Sequence, residues 1–412
     1  MKEKSVLILG GVVQSIAFVR RAKEMGLKVY VADNIPNSPA KKFCDVPLDI
    51  DCFNVDELKE IIDKERIDGI IVGCADILLP VYYELCKLTG KYCYLNKKHL
   101  EVFNNKKGFK MALQANKLPI IKHFDINNVE YPAIIKPVDN NSAKGISVCY
   151  DESTLCKAID EAMNNSKSRN ILIEEYMICD DIVVDYAFID GEVYVTSISD
   201  RYINNENGDT GTIPTALVYP SRYAELYLST THNKVCKLFK ELDVRNGFMS
   251  IQAFVKDNNI YFYDPAFRKN GAEDHILYKY IYDIDQIEML INYAINGSMI
   301  VGQGKPNMQC NFSGRYAANL VILVKTGKIK FINGLKEVEQ LKNVINITQC
   351  HYEDDEVVRR GTLDQTLARI HIVCSDKLEL KSVIKEILNM VEVVDYNGND
   401  MLMNQLDINE IY

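Results

Sequence analysis

Lys136 ends a short apolar run, Pro132-Ala-Ile-Ile-Lys136-Pro137, and a small-residue stretch carrying Ser142, Lys144 and Gly145 follows it. A lysine fixed at a strand end, next to a loop whose backbone N–H groups and hydroxyl face outward, suits a polyphosphate. A lysine in that place is also often simply solvated, so the segments that follow decide the reading. Ile171-Leu-Ile-Glu174-Glu175-Tyr176-Met177 runs from apolar residues straight into two acids, and Asp181 comes next. Farther on, Ser250-Ile-Gln252-Ala-Phe254 and Tyr261-Phe-Tyr-Asp264 read as paired strands around a turn at Asp257-Asn258-Asn259. On adjacent antiparallel strands Gln252 and Asp264 can face one side and offer two oxygens to Mg2+, which prefers oxygen ligands. The plain alternative is a cross-strand hydrogen bond. Arg268 lies just beyond, placed to neutralise charge on a transferring phosphoryl group.

These residues need elements to hold them. In the first hundred positions strand-like and helix-like runs alternate: 5–9, 29–32 and 69–72 are short apolar strands, with helical spacing at Phe18, Ala22 and Met25 and at Leu58, Ile61 and Ile62. Such alternation predicts a parallel α/β sheet, whose ligands bind beyond the carboxyl ends of the strands. Gly10, Gly11, Asp33 and residues 74–76 should therefore line one crevice, the glycines either anchoring a substrate or simply making a tight turn. The turn Leu9-Gly10-Gly11-Val-Val-Gln14-Ser15 lacks the third glycine of a dinucleotide fingerprint, which counts against an NAD-dependent oxidoreductase. From about residue 118 the texture becomes β-rich, with strands expected at 132–135, 145–150, 171–175, 182–189 and 193–198. Asp190-Gly191 is a hairpin signal between the last two. Helices are expected around 223–242, and beyond 306 strands at 317–324, 328–331 and 368–374 precede a helix at 378–391.

Composition removes several classes. The 412 residues are 47% hydrophobic and 25% charged, an ordinary globular balance. A net charge of −9 disfavours a general nucleic-acid binder. The twelve cysteines include no C-x-x-C pair, so reduced, mostly buried thiols are expected rather than a zinc site. No stretch has the apolar length of a membrane helix and the start does not read as a signal peptide, which predicts a cytoplasmic protein.

Taken in order, the lysine strand, small loop, acid-ended strand, hairpin and arginine resemble the ATP-grasp superfamily over roughly residues 1–305, and the remainder is similar to the C-terminal domains of its L-amino-acid ligase branch. The resemblance implies three domains: an N-terminal parallel α/β (pre-ATP-grasp) domain at 1–102, an ATP-grasp domain at 103–305 with a lid at about 120–185, and a small C-terminal α+β domain at 306–412. It implies ATP contacts at Lys106, Lys136, Ser142, Lys144 and Gly145, with Asn105-Lys106 at the opening motif and Leu118-Pro119 at the familiar distance. Glu174 would lie near the adenine amino group, Tyr176 and Met177 at the hinge on the purine edge, and Asp181 on the ribose. Gln252 and Asp264 match the metal ligands and Arg268 closes the E-x-N-x-R motif. This sequence departs from the pattern: the loop keeps only Gly145, Cys179 replaces a hinge glycine, Asp264 replaces a glutamate and Ala266 replaces the asparagine. One Mg2+ site is implied, and Ala266 removes a ligand on which a second would depend.

The activity implied is ATP-dependent activation of a small carboxylate as an acylphosphate, attacked by an amine, with ADP and phosphate released. Arg201 falls where many members place a basic residue near the γ-phosphate or the substrate carboxylate, and otherwise makes a surface ion pair. His275 could deprotonate an amine or be structural. The resemblance also implies small-molecule carboxylate and amine partners, no nucleic acid or membrane, and a possible homodimer through the first domain. Two alternatives stand beside it: a purine-pathway ribonucleotide ligase, and an ATP-binding sensor or scaffold with reduced catalysis, which the changes at Asp264 and Ala266 motivate.

Overall fold

The computed structural model describes residues 3–138, 145–166, 168–204, 213–302, 306–403 and 406–411. Four parallel strands open the chain: β1 (Ser5–Leu9), β2 (Lys28–Ala32), β3 (Val46–Leu48) and β4 (Gly69–Val72), in the order β3-β2-β1-β4. Their apolar runs are buried because helices cover the sheet, the arrangement a parallel sheet requires. These are α1 (Ser15–Glu24), α2 (Val55–Glu65) and α3 (Leu79–Thr89). Asn54 caps α2 by accepting from the Glu57 N–H at 3.4 Å, and its own amide donates to the Glu57 carboxylate at 2.6 Å. Two short helices, α4 (Lys97–Phe103) and α5 (Lys106–Ala115), lead on. The Phe103 ring packs among Phe109, Phe239 and Phe267, so α4 spans the expected 102/103 boundary and docks on the central unit.

A small antiparallel sheet follows, β5 (Ala133–Pro137), β6 (Ser147–Cys149) and β7 (Ile171–Glu175), ordered β6-β5-β7 and backed by α6 (Leu155–Asn164). It has a core of its own, including Phe124, Ile135, Ala158, Ile159, Ala162 and Ile173. The loop positions Ser142 and Lys144 lie outside the described residues.

The third layer is an eight-stranded sheet ordered β12-β11-β8-β9-β10-β13-β17-β15. Its first members are β8 (Asp180–Ile189), β9 (Glu192–Ile203), β10 (Pro214–Tyr219), β11 (Gly247–Lys256) and β12 (Asn259–Ala266). Asp190 and Gly191 join β8 to β9 with φ of 51° and 89°, and Asp257 and Asn258 join β11 to β12 with φ of 50° and 58°. Both are two-residue turns of the left-handed kind that suits strand twist. The expected helix at 223–242 is two helices, α7 (Ala224–Thr230) and α8 (His232–Glu241), broken at Thr231. Arg201 lies inside β9 instead of beyond a strand, because β10 returns alongside and extends the pairing to Ile203.

Helix α9 (His275–Tyr282) packs against the C-terminal strands of the large sheet, and α10 (Gln286–Asn296) returns to the first layer. A Cβ on Gly69 would lie 2.5 Å from the Ala294 carbonyl, so glycine lets α10 press onto β4. The C-terminal strands β13 (Tyr316–Leu323), β15 (Val344–Gln349) and β17 (Thr366–Cys374) complete the eight-stranded sheet. Strands β14 (Gly327–Asn333), β16 (Glu356–Val357) and β18 (Glu392–Asp395) form a small sheet, with helices α11 (Leu335–Val338) and α12 (Lys377–Met390). The three strands beyond 306 thus continue a sheet begun before it. Among the described residues no helix is long and apolar enough to cross a membrane, and all twelve cysteines are free thiols.

Candidate active site

Lys136, at the end of β5, sets its ammonium 2.5 Å from Glu174 on β7, and Lys110 of α5 approaches the other Glu174 oxygen at 3.2 Å. Register explains the first contact: Ile134 pairs with Glu174 and Lys136 with Leu172, so the side chains of Lys136 and Glu174 share a face. Burial pushes the Glu174 carboxyl up, but the two lysines more than offset it and hold its pKa below the ordinary value. Lys106, one helical turn before Lys110, opens α5 behind the Asn105 cap, which accepts from the Gly108 N–H at 3.0 Å. Its ammonium pKa is lowered by the protein around it and by Lys136. Lys110 is a site residue that sequence reading passed over, although its i+4 spacing from Lys106 puts both on one helix face.

Gln252 and Asp264 stand opposite each other on β11 and β12. Immediately beside them the register slips: Ala253 pairs with Phe262, which leaves Tyr263 as the extra residue of a bulge. Its ring stacks on Phe254 at 4.3 Å, and its hydroxyl donates to Gln252 Oε1 at 2.7 Å and contacts both Asp181 oxygens at 3.0 and 3.2 Å. Asp181 also accepts from Arg201 at 2.5 Å, so the expected ribose acid has both oxygens engaged within the protein. The Asp264 carboxylate makes no hydrogen bond or ion pair among the described residues and opens to the cleft. Enclosure and Asp76 raise its pKa, while Lys106, Arg268 and Arg201 counter them. An open carboxylate opposite an amide oxygen, ringed by three cations, fits an oxygen-ligated Mg2+ carrying phosphate.

Arg268 pairs with Asp76, from the turn after β4, and donates to the Lys269 carbonyl at 3.0 Å. The first sheet's crevice therefore meets Arg268 directly. Within that crevice the Gly11 N–H donates to Asp33 at 2.7 Å, and a Cβ on Gly11 would lie 2.1 Å from the Ser38 hydroxyl oxygen. Gly10 has φ of 86° and its carbonyl accepts from the Ser15 hydroxyl at 2.7 Å. These contacts satisfy the tight-turn role. Arg20 lies over the Phe43 ring and Arg21 pairs with Glu24, Asp285 and Glu288, so neither arginine serves the glycine turn.

At the hinge the Tyr176 N–H donates to the Pro132 carbonyl at 3.0 Å, and the Cys179 thiol contacts the Met177 carbonyl at 3.5 Å. Gly145 keeps φ of 73°, and a Cβ there would meet Asn165 at 2.5 Å. His275 opens α9 with a buried Nδ1 that has no partner; burial, Lys269 and His371 depress its pKa.

Residues 105–264 match the family model described as D-ala D-ala ligase C-terminus. That segment is similar to the ATP-grasp domain of this family. The surrounding fold agrees over nearly the whole chain: an L-amino acid ligase from Bacillus licheniformis superposes with a TM-score of 0.79 at 19% identity, covering 96% of this chain and 100% of that one. The biotin carboxylase domain of a Hydrogenobacter thermophilus 2-oxoglutarate carboxylase, solved with MgADP and bicarbonate, superposes at 0.77 and 16% identity, covering 97% and 91%. In sequence, a formate-dependent phosphoribosylglycinamide formyltransferase of Sulfurisphaera tokodaii is 28% identical over 208 residues, 47% of this chain and 52% of that protein. The chain spans about half the length of the first such formyltransferases it matches. The matched segment opens at the Asn105 cap and closes on Asp264 itself.

Proposed function

We propose that this protein is an ATP- and Mg2+-dependent ligase that activates a small carboxylate as an acylphosphate and joins it to an amine, releasing ADP and phosphate. The observation that carries the reading is the Asp264 carboxylate, open to the cleft and unpaired, opposite Gln252 and surrounded by Lys106, Arg201 and Arg268. Gln252 and Asp264 would hold Mg2+, which when bound neutralises phosphate charge. Lys106 and Lys136 grip the polyphosphate, and Glu174 orients the Lys136 ammonium. Tyr263 fixes the Gln252 amide so that its oxygen has one set direction, and Asp181 holds Arg201 beside Asp264. Arg268 leaves Asp76 to meet the transferring phosphoryl group. Almost all of this is positioning and charge neutralisation, which is how such a reaction is accelerated. The three domains keep the boundaries expected above as proposals, and a purine-pathway ribonucleotide ligase remains the second chemistry of the same class.

The test is an ADP-release screen over pairs of small carboxylates and amines with Mg2+. ADP formed only with a particular pair supports the ligase. Thermal stabilisation by MgATP with no ADP from any pair would instead mean a nucleotide-binding sensor.

A further inference from the structure

Arg21, in the last turn of α1, faces more carboxylates than it can neutralise. It pairs with Glu24 at 2.8 Å, with Asp285 at 3.2 Å and with Glu288, the last two at the start of α10. Lys279 is engaged by Asp283 at 2.7 Å. Asp283, Asp285 and Glu288 border a cleft of about 400 Å³ between α10, the end of α9 and the chain at Met299. No other lysine or arginine pairs with these carboxylates among the described residues, so the mouth of the cleft carries an excess of negative charge.

Asp285, Glu288, Met289 and Asn292 follow one another at helical spacing, so a single face of α10 forms one wall of the cleft. Going inward, that wall changes character. Met289 is 7% exposed, and Met299, which also lines the cleft, is buried with its sulfur accepting from the Gly247 N–H at 3.1 Å. Asn292 is likewise 7% exposed and lines the cleft, yet its side-chain amide makes no hydrogen bond among the described residues. Buried amides are nearly always paired, and one that faces open space offers a donor and an acceptor to whatever enters. The volume lies within the range of small-molecule sites, about 300–1,000 Å³.

The cleft lies apart from the Asp264 site. Lys4, ahead of β1, donates to Asn296 at 3.0 Å, and Gly69 opens β4 against Ala294, so α10 sits at the amino ends of the first strands. Asp76 and its partner Arg268 lie past the carboxyl end of β4, and that strand alone spans about 10 Å. We infer that this cleft binds an organic cation with a ring-sized apolar body and a hydrogen-bonding group at its far end. The cationic head meets Asp285 and Glu288, the body lies against Met289 and Met299, whose sulfurs favour aromatic edges, and the far group meets the Asn292 amide. Along the helix Asn292 is about 6 Å from Glu288 and about 10 Å from Asp285, which sets the spacing between the two polar ends. An anion would be repelled at the mouth, and a bare cation would leave Asn292 without a partner. The site is additional to the ligase reading and does not rest on it.

Tyramine is a probe with all three parts. Calorimetric titration of the full chain, without nucleotide, compares it with phenethylamine, which lacks the hydroxyl, with hydroxyphenylpropionate, which carries a carboxylate for the ammonium, and with ammonium chloride. Saturable tyramine binding with Kd near or below about 1 mM is expected, with phenethylamine about fivefold weaker and no detectable binding of the other two. Glu288→Gln should weaken tyramine about tenfold, and Asn292→Leu should abolish the preference for tyramine over phenethylamine. The site is overturned by the absence of saturable tyramine binding, or by phenethylamine, hydroxyphenylpropionate or ammonium binding as tightly. Wild-type tyramine affinity in Glu288→Gln, or the wild-type preference kept in Asn292→Leu, would overturn it equally. The comparison of the four small molecules needs only the wild-type chain, so poor folding of a variant does not blunt it. No ATP enters the measurement, so its failure and failure of the ADP-release screen are separate results.

Discussion

Lys136 and Glu174 show how one contact serves both fold and chemistry. The carboxylate is buried and kept ionised only by Lys136 and Lys110, so Lys136→Ala should lower ADP formation by about a hundredfold or more and stability by about 1–3 kcal/mol. An ADP assay with a thermal melt checks both; wild-type turnover would remove the nucleotide site from this place. A second residue makes a pH prediction. His371 is fully buried, and its pKa falls from 6.5 to about 4 because burial disfavours the charged ring. Above pH 6.5 both folded and unfolded rings are neutral. As pH falls from 6.5 to 4 the unfolded ring binds a proton and the folded one does not, so stability is lost, and below 4 the loss is complete. The stability gap between wild type and His371→Asn should therefore narrow by about 3 kcal/mol between pH 7 and 4. Urea unfolding at a series of pH values measures this, and a gap independent of pH would refute it. The lysine, Gln252, Asp264 and Arg268 could be read in the sequence because charged residues at the ends of apolar runs stand out. Lys110 and Tyr263 could not, since their meaning depends on partners far away in the chain.

At the scale of the element, the bulge in β12 is the feature that alternation could not foresee. A regular strand would send Tyr263 and Asp264 to opposite faces; the slip beside Gln252 turns both toward one cleft. Tyr263 then links Asp181 to Gln252, and its removal leaves a buried carboxylate with one donor fewer. Tyr263→Phe should destabilise the protein by about 1–3 kcal/mol and raise the Mg2+ concentration needed for half-maximal ADP formation. An unchanged Mg2+ titration would show that the Gln252 amide needs no such brace. Elements were legible where pattern and turn agreed: the 5–9 and 69–72 runs are β1 and β4, and Asp190-Gly191 is the β8–β9 turn. The short strand β3 was missed because Pro47 and its half-exposed neighbours carry no periodic signal.

At the scale of the whole molecule, the ion pair of Arg268 with Asp76 ties the first sheet to the proposed phosphoryl site. Phosphate must draw Arg268 away from that partner. Asp76 is 43% exposed, which limits the effect, so Asp76→Asn should tighten MgADP binding by about fivefold, near 1 kcal/mol. Calorimetry would detect it, and an equal or weaker affinity would mean that the pair does not compete with nucleotide. The broad class of each layer was readable from composition and alternation, but the sharing of one sheet by β10 and β13 was not, because no local pattern announces a pairing across that span of chain. That shared seam limits how such chains can be recombined. A chimera joined near residue 305 would ask β10 of one parent to hydrogen-bond β13 of another, and a chain cut there would leave β10 as a naked edge ready to recruit a second copy. A graft that keeps the sheet whole has to carry β10 along with the C-terminal strands, so the unit of inheritance here is a seam of paired strands and not the stretch of sequence between two linkers.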